Sequence, residues 1–225
     1  MTLGDAWEQH AQDWIAWART EEHDGFWGGT WPALAATLGP PGELVIEIGC
    51  GEGRAGRELL ALGHRVVGVE QSATLARAAR TADPPLDVLH ADATRLPFAD
   101  ASAGTVVACM SLQDVDDLPG AISEATRVLR GGGRLCVAVV HPFASAQVGG
   151  VGTHTPVITD PYLSARRYVA RAERDGLAMT FVSMHRPLSA YLSACFDAGL
   201  VMSAFSEAGN KPIPWLLVAR FDKVT

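Results

Sequence analysis

Cysteine pairs are missing from this sequence. Cys50, Cys109, Cys136 and Cys195 lie far apart and none forms a C-x-x-C pair, so a zinc site or a redox motif has no support. Three of them sit in or beside apolar, strand-like runs and read as small core residues of a reducing compartment. No apolar run reaches about 18 residues, the length a membrane-spanning helix needs. Positive charge is also short. Against 25 Asp and Glu stand 18 Lys and Arg, and the net charge of −7 argues against a phosphate backbone as the main partner. The arginines that do cluster, Arg166, Arg167, Arg171 and Arg174, read as a solvated helix face rather than an RNA-binding patch. The N-terminus is acidic and Trp-rich rather than basic then apolar, so no signal peptide is expected and the expected location is cytoplasmic. The chain has no internal repeat and no low-complexity tract.

What is present suits one α/β domain. A length of 225 residues fits a single domain with modest additions, and 48% apolar residues can cover both faces of a sheet. After the break Gly39-Pro40-Pro41-Gly42 the chain alternates. Residues 44–48 are a short apolar run, followed by a Gly-rich turn and a helix pattern to Leu62, with Gly63 placed as its C-terminal cap. Residues 65–70, 86–91, 105–110 and 135–140 read as further strands, and Ser72 as the N-cap of the helix after the second. Leu118, Ile122, Ala125 and Leu129 repeat at helical spacing before Arg130-Gly131-Gly132-Gly133 ends the helix. Apolar runs separated by helices predict a parallel sheet buried on both faces, with right-handed crossovers. Residues 188–198 look helical. The runs 200–206 and 215–221 are joined too tightly to be parallel. The expected fold is therefore a Rossmann-like, doubly wound sheet, mostly parallel, with a C-terminal antiparallel hairpin and flanking helices.

The chemistry concentrates in Val45-Ile46-Glu47-Ile48-Gly49-Cys50-Gly51-Glu52-Gly53, where a strand feeds a Gly-rich turn that opens a helix. Glycines let backbone approach a ligand, and a helix N-terminus offers free N–H groups. Gly51, Gly53 and Gly56 also satisfy G-x-G-x-x-G, and Glu70 lies where an acid would hold a ribose, so a nicotinamide enzyme is an alternative. Three features favour a different ligand. A carboxylate at Glu47 would repel a pyrophosphate but suits a ligand carrying an ammonium and a sulfonium. Asp92, ending the third strand, can accept a hydrogen bond from an adenine amino group. The antiparallel hairpin is the third.

Taken together, E-I-G-C-G-E-G, the acid Glu70, the segment D-A-T-R-L-P-F and V-L-R-G-G-G-R-L resemble the class I S-adenosylmethionine-dependent methyltransferases, in particular the small-molecule group with a domain like that of ubiquinone- and sterol-type enzymes. The resemblance covers roughly residues 43–143. It implies S-adenosylmethionine as cofactor, with Gly49, Cys50, Gly51 and Gly53 cradling the methionine moiety and Glu47 near its ammonium. It implies that Glu70 binds the ribose hydroxyls with Gln71 and Ser72 beside them, that Asp92 and Ala93 contact adenine, and that Met110, Ser111 and Leu112 line the cofactor near its methyl group. The family's N-methylation signature is absent: Ser111-Leu112-Gln113-Asp114 stands in its place, and Asp83-Pro84-Pro85-Leu86 precedes the third strand and reads as a turn. Methylation of oxygen or carbon on a small molecule, in secondary metabolism, is the expected activity. A non-catalytic cofactor-binding subunit is the other alternative.

On the acceptor side a base is expected for an alcohol or phenol, and histidine titrates near neutral pH. His141 follows the fifth strand and His185 precedes the late helix, so both are candidate catalytic residues; His154 and His23 are weaker ones. Trp7, Trp14 and Trp17 fall on one helical face, which either docks on the domain or closes over a ligand. Trp14, Trp27, Phe143 and Tyr162 are candidate substrate contacts, with Tyr168 as another pocket wall. Residues 141–185, with Gly149-Gly150 and several aromatics, fit no simple βα unit and read as a substrate cap. Asp114, Asp116 and Asp117 read as helix caps and dipole partners, so no metal is expected. The expected organisation is one domain: an N-terminal helical lid (1–40), a cofactor-binding core (41–141), a cap (142–185) and a C-terminal helix and hairpin (186–225). Its expected partner is a small molecule, without nucleic acid or membrane, in a monomer or homodimer.

Overall fold

The computed structural model describes residues 1–20, 23–146, 158, 161–209 and 213–224. Two short helices, α1 (Leu3–Gln9) and α2 (Ala11–Ala18), open the chain, and α3 (Trp31–Ala35) follows. The central unit then runs β1 (Leu44–Ile48), α4 (Arg54–Ala61), β2 (Arg65–Glu70), α5 (Ala73–Arg80), β3 (Val88–His90), β4 (Ala103–Cys109), α6 (Leu118–Val128) and β5 (Leu129–Val140). After α7 (Pro142–Ser145) come β6 (Arg166–Arg174), β7 (Leu177–His185), α8 (Leu188–Asp197), β8 (Leu200–Ala208) and β9 (Leu216–Lys223).

Seven strands form one sheet in the order β3-β2-β1-β4-β5-β9-β8. The first five are parallel, β9 runs antiparallel to β5, and β8 antiparallel to β9. This is the expected doubly wound sheet ending in an antiparallel hairpin. Its strands read as continuous apolar runs because both faces are covered. Ile46, Val106, Leu135 and Val137 pack with α6 and α8 on one side. Their neighbours Val45, Val107, Cys136 and Ala138 pack with α3, α4 and α5 on the other. The expected caps form: Ser72 Oγ accepts the Leu75 N–H, and Asp117 Oδ1 accepts the Gly120 N–H. All four cysteines are free thiols, three of them buried. Among the described residues no helix is long and apolar enough to cross a membrane.

The arginine-rich stretch is a strand, not a solvated helix face. Arg166–Arg174 forms β6, which pairs antiparallel with β7 as a separate two-stranded sheet. Its register sets Tyr168 opposite Ser183 and Ala170 opposite Phe181. Its charges, at 166, 167, 171, 173 and 174, fit a polar helix face as readily as a strand, and only pairing with β7 decides between the two periods. The tract 147–157, with Gly149-Gly150 and His154, lies outside the described residues.

The N-terminal tryptophans occupy two helices rather than one, because the chain breaks at His10. Trp7, Trp14 and Trp17 nevertheless converge edge-on around Phe181 of β7, with ring centroids 6.4, 6.1 and 6.4 Å away. Aromatic edge-to-face pairs of this kind stabilise beyond their buried area. Helix α1 is tied down at both flanks. Glu8 accepts hydrogen bonds from the Ser72 and Thr74 hydroxyls at 2.5 and 2.6 Å, and the Leu3 N–H donates to Asp116 Oδ2 at 2.9 Å. We expect Phe181→Ala to destabilise the protein by about 2–4 kcal/mol through loss of three ring contacts and partial cavity formation. Urea unfolding with an unchanged m-value and a lowered midpoint is the expected readout; an unmoved midpoint would show that the tryptophans dock elsewhere.

Candidate active site

A cavity of about 670 Å³ opens at the carboxyl ends of β1, β2 and β4, the edge where open α/β sheets bind ligands. One side is the glycine turn. Gly49 has φ +64°, and a Cβ there would lie 2.5 Å from Ser111 Cβ, so the turn closes against the end of β4 only without a side chain. The Gly49 and Cys50 N–H groups both donate to Val69 O, at 2.8 and 3.2 Å. Gly56 has a different function: a Cβ there would lie 2.7 Å from Glu47 Oε2 and 2.5 Å from Leu86. The third glycine of the fingerprint therefore makes room for the Glu47 carboxylate.

Carboxylates surround this turn. Glu47 is only 2% exposed, and its Oε2 has no hydrogen-bond partner. Burial, reinforced by the charges of Glu52 and Glu70, pushes its carboxyl up to about 8, while Arg57 and Arg54 offset this in part. Glu52 is compensated: Arg57 Nη2 donates to both its oxygens at 2.8 and 2.9 Å, and Arg19 Nε donates to Oε2 at 3.0 Å. Arg54 is engaged by Asp24 in a two-bond pair at 3.1 and 2.8 Å, over the Phe26 ring. Glu70, its carboxyl raised by burial, accepts the Gly51 and Ser72 N–H groups, each at 2.8 Å. Asp92 uses one oxygen for the Thr94 N–H and hydroxyl at 2.8 and 2.9 Å. Met110 holds a left-handed backbone, φ +55°, where β4 ends, with its N–H on Ala138 O at 2.7 Å. Such strain in a non-glycine residue persists only where its surroundings enforce it, and Met110 faces the cavity.

The far side is aromatic and polar. Trp7, Trp14 and Phe181 line it, as do Tyr168, Ser183 and Asp114. Asp114 ends a short turn, Leu112–Asp114, just beyond β4. Its Oδ1 accepts the Ser183 hydroxyl at 2.5 Å and its Oδ2 the Gln113 amide at 3.2 Å. Burial away from bulk water pushes its carboxyl up to about 7, against the Ser183 hydrogen bond and the Arg186 charge. Arg186 fixes this turn by donating to Leu112 O, Val115 O and Asp116 O.

Of the cofactor-side residues read from the sequence, Glu47, Gly49, Cys50, Gly51, Glu70, Gln71, Asp92, Ala93, Met110 and Ser111 line the cavity. Gly53, Ser72 and Leu112 do not. Gly53 is the N-cap of α4, the Ser72 hydroxyl is spent on Leu75 and Glu8, and Leu112 is buried in the core. Trp14 lines the cavity, whereas Trp27, 46% exposed, packs on Phe26. Phe143, 41% exposed, packs on His141 and Tyr162 away from the cavity. Tyr162 anchors the start of α8 by accepting the Leu188 N–H at 3.0 Å.

Neither expected base reaches the cavity wall, which corrects the expectation of direct contact. His141 Nδ1 accepts the Phe143 N–H, so Nε2 carries the proton and donates to Glu207 Oε1 at 2.7 Å. His185 has 0% exposure and bonds the Tyr162 carbonyl through Nε2 and the Ser145 hydroxyl through Nδ1, both at 2.8 Å. Only Ser145 of that group lines the cavity. Sequence reasoning assigned Asp114 to capping and missed it as a cavity residue; its place just past β4 was the signal available. Ser183 and Phe181 carried no signal without the β6–β7 pairing.

A glycine turn and strand-end acids on a doubly wound sheet define a nucleoside-cofactor-binding protein. Residues 46–137 match a family model described as a methyltransferase domain. The demethylmenaquinone methyltransferase of Beutenbergia cavernae is 38% identical over 98 residues, 44% of this chain and 41% of that protein. Among solved structures, an S-adenosylmethionine-dependent methyltransferase from Mesorhizobium loti is 22% identical, with TM-score 0.69 over 85% of this chain and 96% of that one. The [4+2]-cyclase SpnF is 16% identical, with TM-score 0.71 over 100% of this chain and 98% of that one, a likeness of fold alone. Residues 46–137 are thus similar to a methyltransferase domain, and the fold is shared with S-adenosylmethionine-dependent methyltransferases, whose cofactor is S-adenosylmethionine. The chain spans about two fifths of the length of the curated relatives it matches.

The residues present fit that cofactor. Glu47 Oε2 is a buried acceptor without a donor, and a ligand ammonium supplies both donor and charge. In the ligand-free protein the same carboxyl shapes stability. Between the ordinary value of 4.5 and about 8, the folded protein keeps a proton that the unfolded chain has released, so stability falls as pH rises across that window. The limiting slope is about 1.4 kcal/mol per pH unit. Glu47→Gln is expected to flatten this fall and to be more stable than the parent at pH near 8, in urea unfolding followed from pH 5 to 8. An identical slope in the variant would show that Glu47 is not the group responsible.

Proposed function

We propose that this protein transfers a methyl group from S-adenosylmethionine to a small-molecule acceptor held in the same cavity. The observation that carries the reading is the uncompensated Glu47 carboxylate beside the glycine turn, with Glu70 and Asp92 at the next two strand ends. These acids suit a cationic nucleoside and oppose a diphosphate, which sets the reading apart from a nicotinamide-dependent enzyme on the same glycines. When bound, S-adenosylmethionine supplies a methyl group already activated by positive sulfur.

In this reading Glu47 receives the ammonium, and Gly49, Cys50 and Gly51 bring backbone against the methionine moiety. Glu70, locked by the Gly51 and Ser72 N–H groups, keeps its remaining lone pairs for ribose hydroxyls, with Gln71 beside it. Asp92 and Ala93 take the adenine, and Met110 and Ser111 border the reacting centre. The helices of residues 1–40 act as a lid and residues 142–185 as a cap, excluding water so that an acceptor is aligned rather than solvated. The cavity volume falls in the usual range for small-molecule sites, which favours catalysis over a purely scaffolding subunit. An oxygen or carbon acceptor, of the kind found in secondary metabolism, fits a site without the N-methylation signature.

Calorimetry with S-adenosylhomocysteine tests the donor half. Binding at pH 7 is expected to release a proton from Glu47, seen as a buffer-dependent enthalpy. Glu47→Gln is expected to abolish that release and to weaken binding by about 1.5–3 kcal/mol, the range for hydrogen bonds to charged groups. Preferential binding of NAD over S-adenosylhomocysteine would overturn the reading.

A further inference from the structure

We propose that Asp114 is the general base of the acceptor site, and that this site takes a planar aromatic alcohol with its hydroxyl directed at the Asp114 carboxylate. The inference rests on the methyl-transfer reading above and deepens it on the acceptor side.

The shape comes from the β6–β7 hairpin. Tyr168 and Ser183 are cross-strand partners, as are Ala170 and Phe181, and all four face the cavity. Ala170 is the small member of its pair, so it leaves open space beside the Phe181 ring. Trp7 and Trp14 stand edge-on to that ring and to each other, with centroids 5.7 Å apart. A slot between aromatic edges and an alanine suits a flat apolar ring. Its polar end is the Asp114–Ser183–Tyr168 group.

Asp114 is placed to accept a proton there. The Ser183 hydroxyl holds Oδ1 firmly, whereas Oδ2 takes the longer, 3.2 Å hydrogen bond from Gln113. The Trp7 indole N–H lies beside the same carboxyl without a hydrogen bond of good geometry. Charged and titratable groups approach from every side. Arg186, spent on backbone carbonyls, is the cation; Tyr168 and Tyr191 are buried phenols whose own ionisation is pushed up by burial. Asp116 and Asp117 also border the cavity, Asp116 held by the Leu3 N–H and Arg167 and Asp117 by the Gly120 N–H, and His185 reaches the cavity only through Ser145. A carboxyl raised to about 7 is matched to proton transfer near neutral pH.

The step balances. The acceptor O–H bond breaks and its proton passes to Asp114. The oxygen's electron pair forms the new O–CH3 bond as the CH3–S bond breaks, its pair staying on sulfur.

The test uses 2-naphthol, whose excited state gives up its proton to an adjacent base and then emits as naphtholate. It is titrated into the full-length protein saturated with S-adenosylhomocysteine, with thermal melting and S-adenosylhomocysteine affinity measured on each variant. The expected result is naphtholate emission from the wild type, falling as pH drops through about 7, and loss of that emission in Asp114→Asn with the cofactor product still bound. Ser183→Ala removes a bond that lowers the Asp114 pKa, so the emission midpoint is expected at higher pH. Equal emission in Asp114→Asn, no naphthol binding by the wild type, or an unmoved midpoint in Ser183→Ala would overturn the proposal while leaving the donor reading intact. Failure of the wild type to bind S-adenosylhomocysteine would overturn both.

Discussion

Glu47 carries a carboxylate that its surroundings do not neutralise. The strand that bears it is buried on both faces, and α4 closes over it at Gly56, so water does not reach Oε2. The nearby arginines are committed elsewhere: Arg57 and Arg19 to Glu52, Arg54 to Asp24. A buried charge without a partner is among the costliest arrangements a fold can hold, and the protein relieves it by keeping the proton. The site therefore stores a demand for a cation. A diphosphate would deepen the deficit; an ammonium removes it. Much of the local architecture follows from keeping that demand unmet by the chain itself, including the glycine at position 56 and the diversion of three arginines.

The cavity joins this charged wall to an aromatic one of separate origin. The acids stand at the ends of β1, β2 and β3 in one sheet, while Phe181, Tyr168 and Ser183 belong to the other. Helix α1 bridges the two. Its Glu8 bonds the N-terminus of α5, and the N–H of Leu3 bonds Asp116, which also receives Arg167 of β6. The same short helix therefore contacts both walls of the cavity. Trp7 and Trp14 dock on Phe181 and also form part of the cavity lining.

The sheet and the acidic wall were legible in sequence because their signals are local. Apolar runs of five to seven residues, a glycine turn and an acid two residues before it all fall within short windows. The aromatic wall was not legible, for the opposite reason. The charges of R-R-Y-V-A-R-A-E-R fit a polar helix as readily as an edge strand, and only pairing with residues 177–185 resolves it. The histidines misled for a related reason. Position at a strand end says where the backbone stops, not where the ring points. Glu207 claims His141 and the Tyr162 carbonyl claims His185, and both claims come from far along the chain.

Those two histidines also show what a carboxylate offers here that an imidazole does not. A neutral imidazole has one acceptor nitrogen, and in each ring that nitrogen already takes a hydrogen bond, from the Phe143 N–H or the Ser145 hydroxyl. Freeing either would break a cap or a buried pair. A carboxylate has two oxygens with about four lone-pair sites, so Asp114 can be held by Ser183 and still present acceptor capacity to a ligand. Holding and accepting are then compatible in one side chain. The cost is burial of a charge, and Asp114 meets it much as Glu47 does, by a raised carboxyl. A cation bound in this cavity would favour ionisation of both acids.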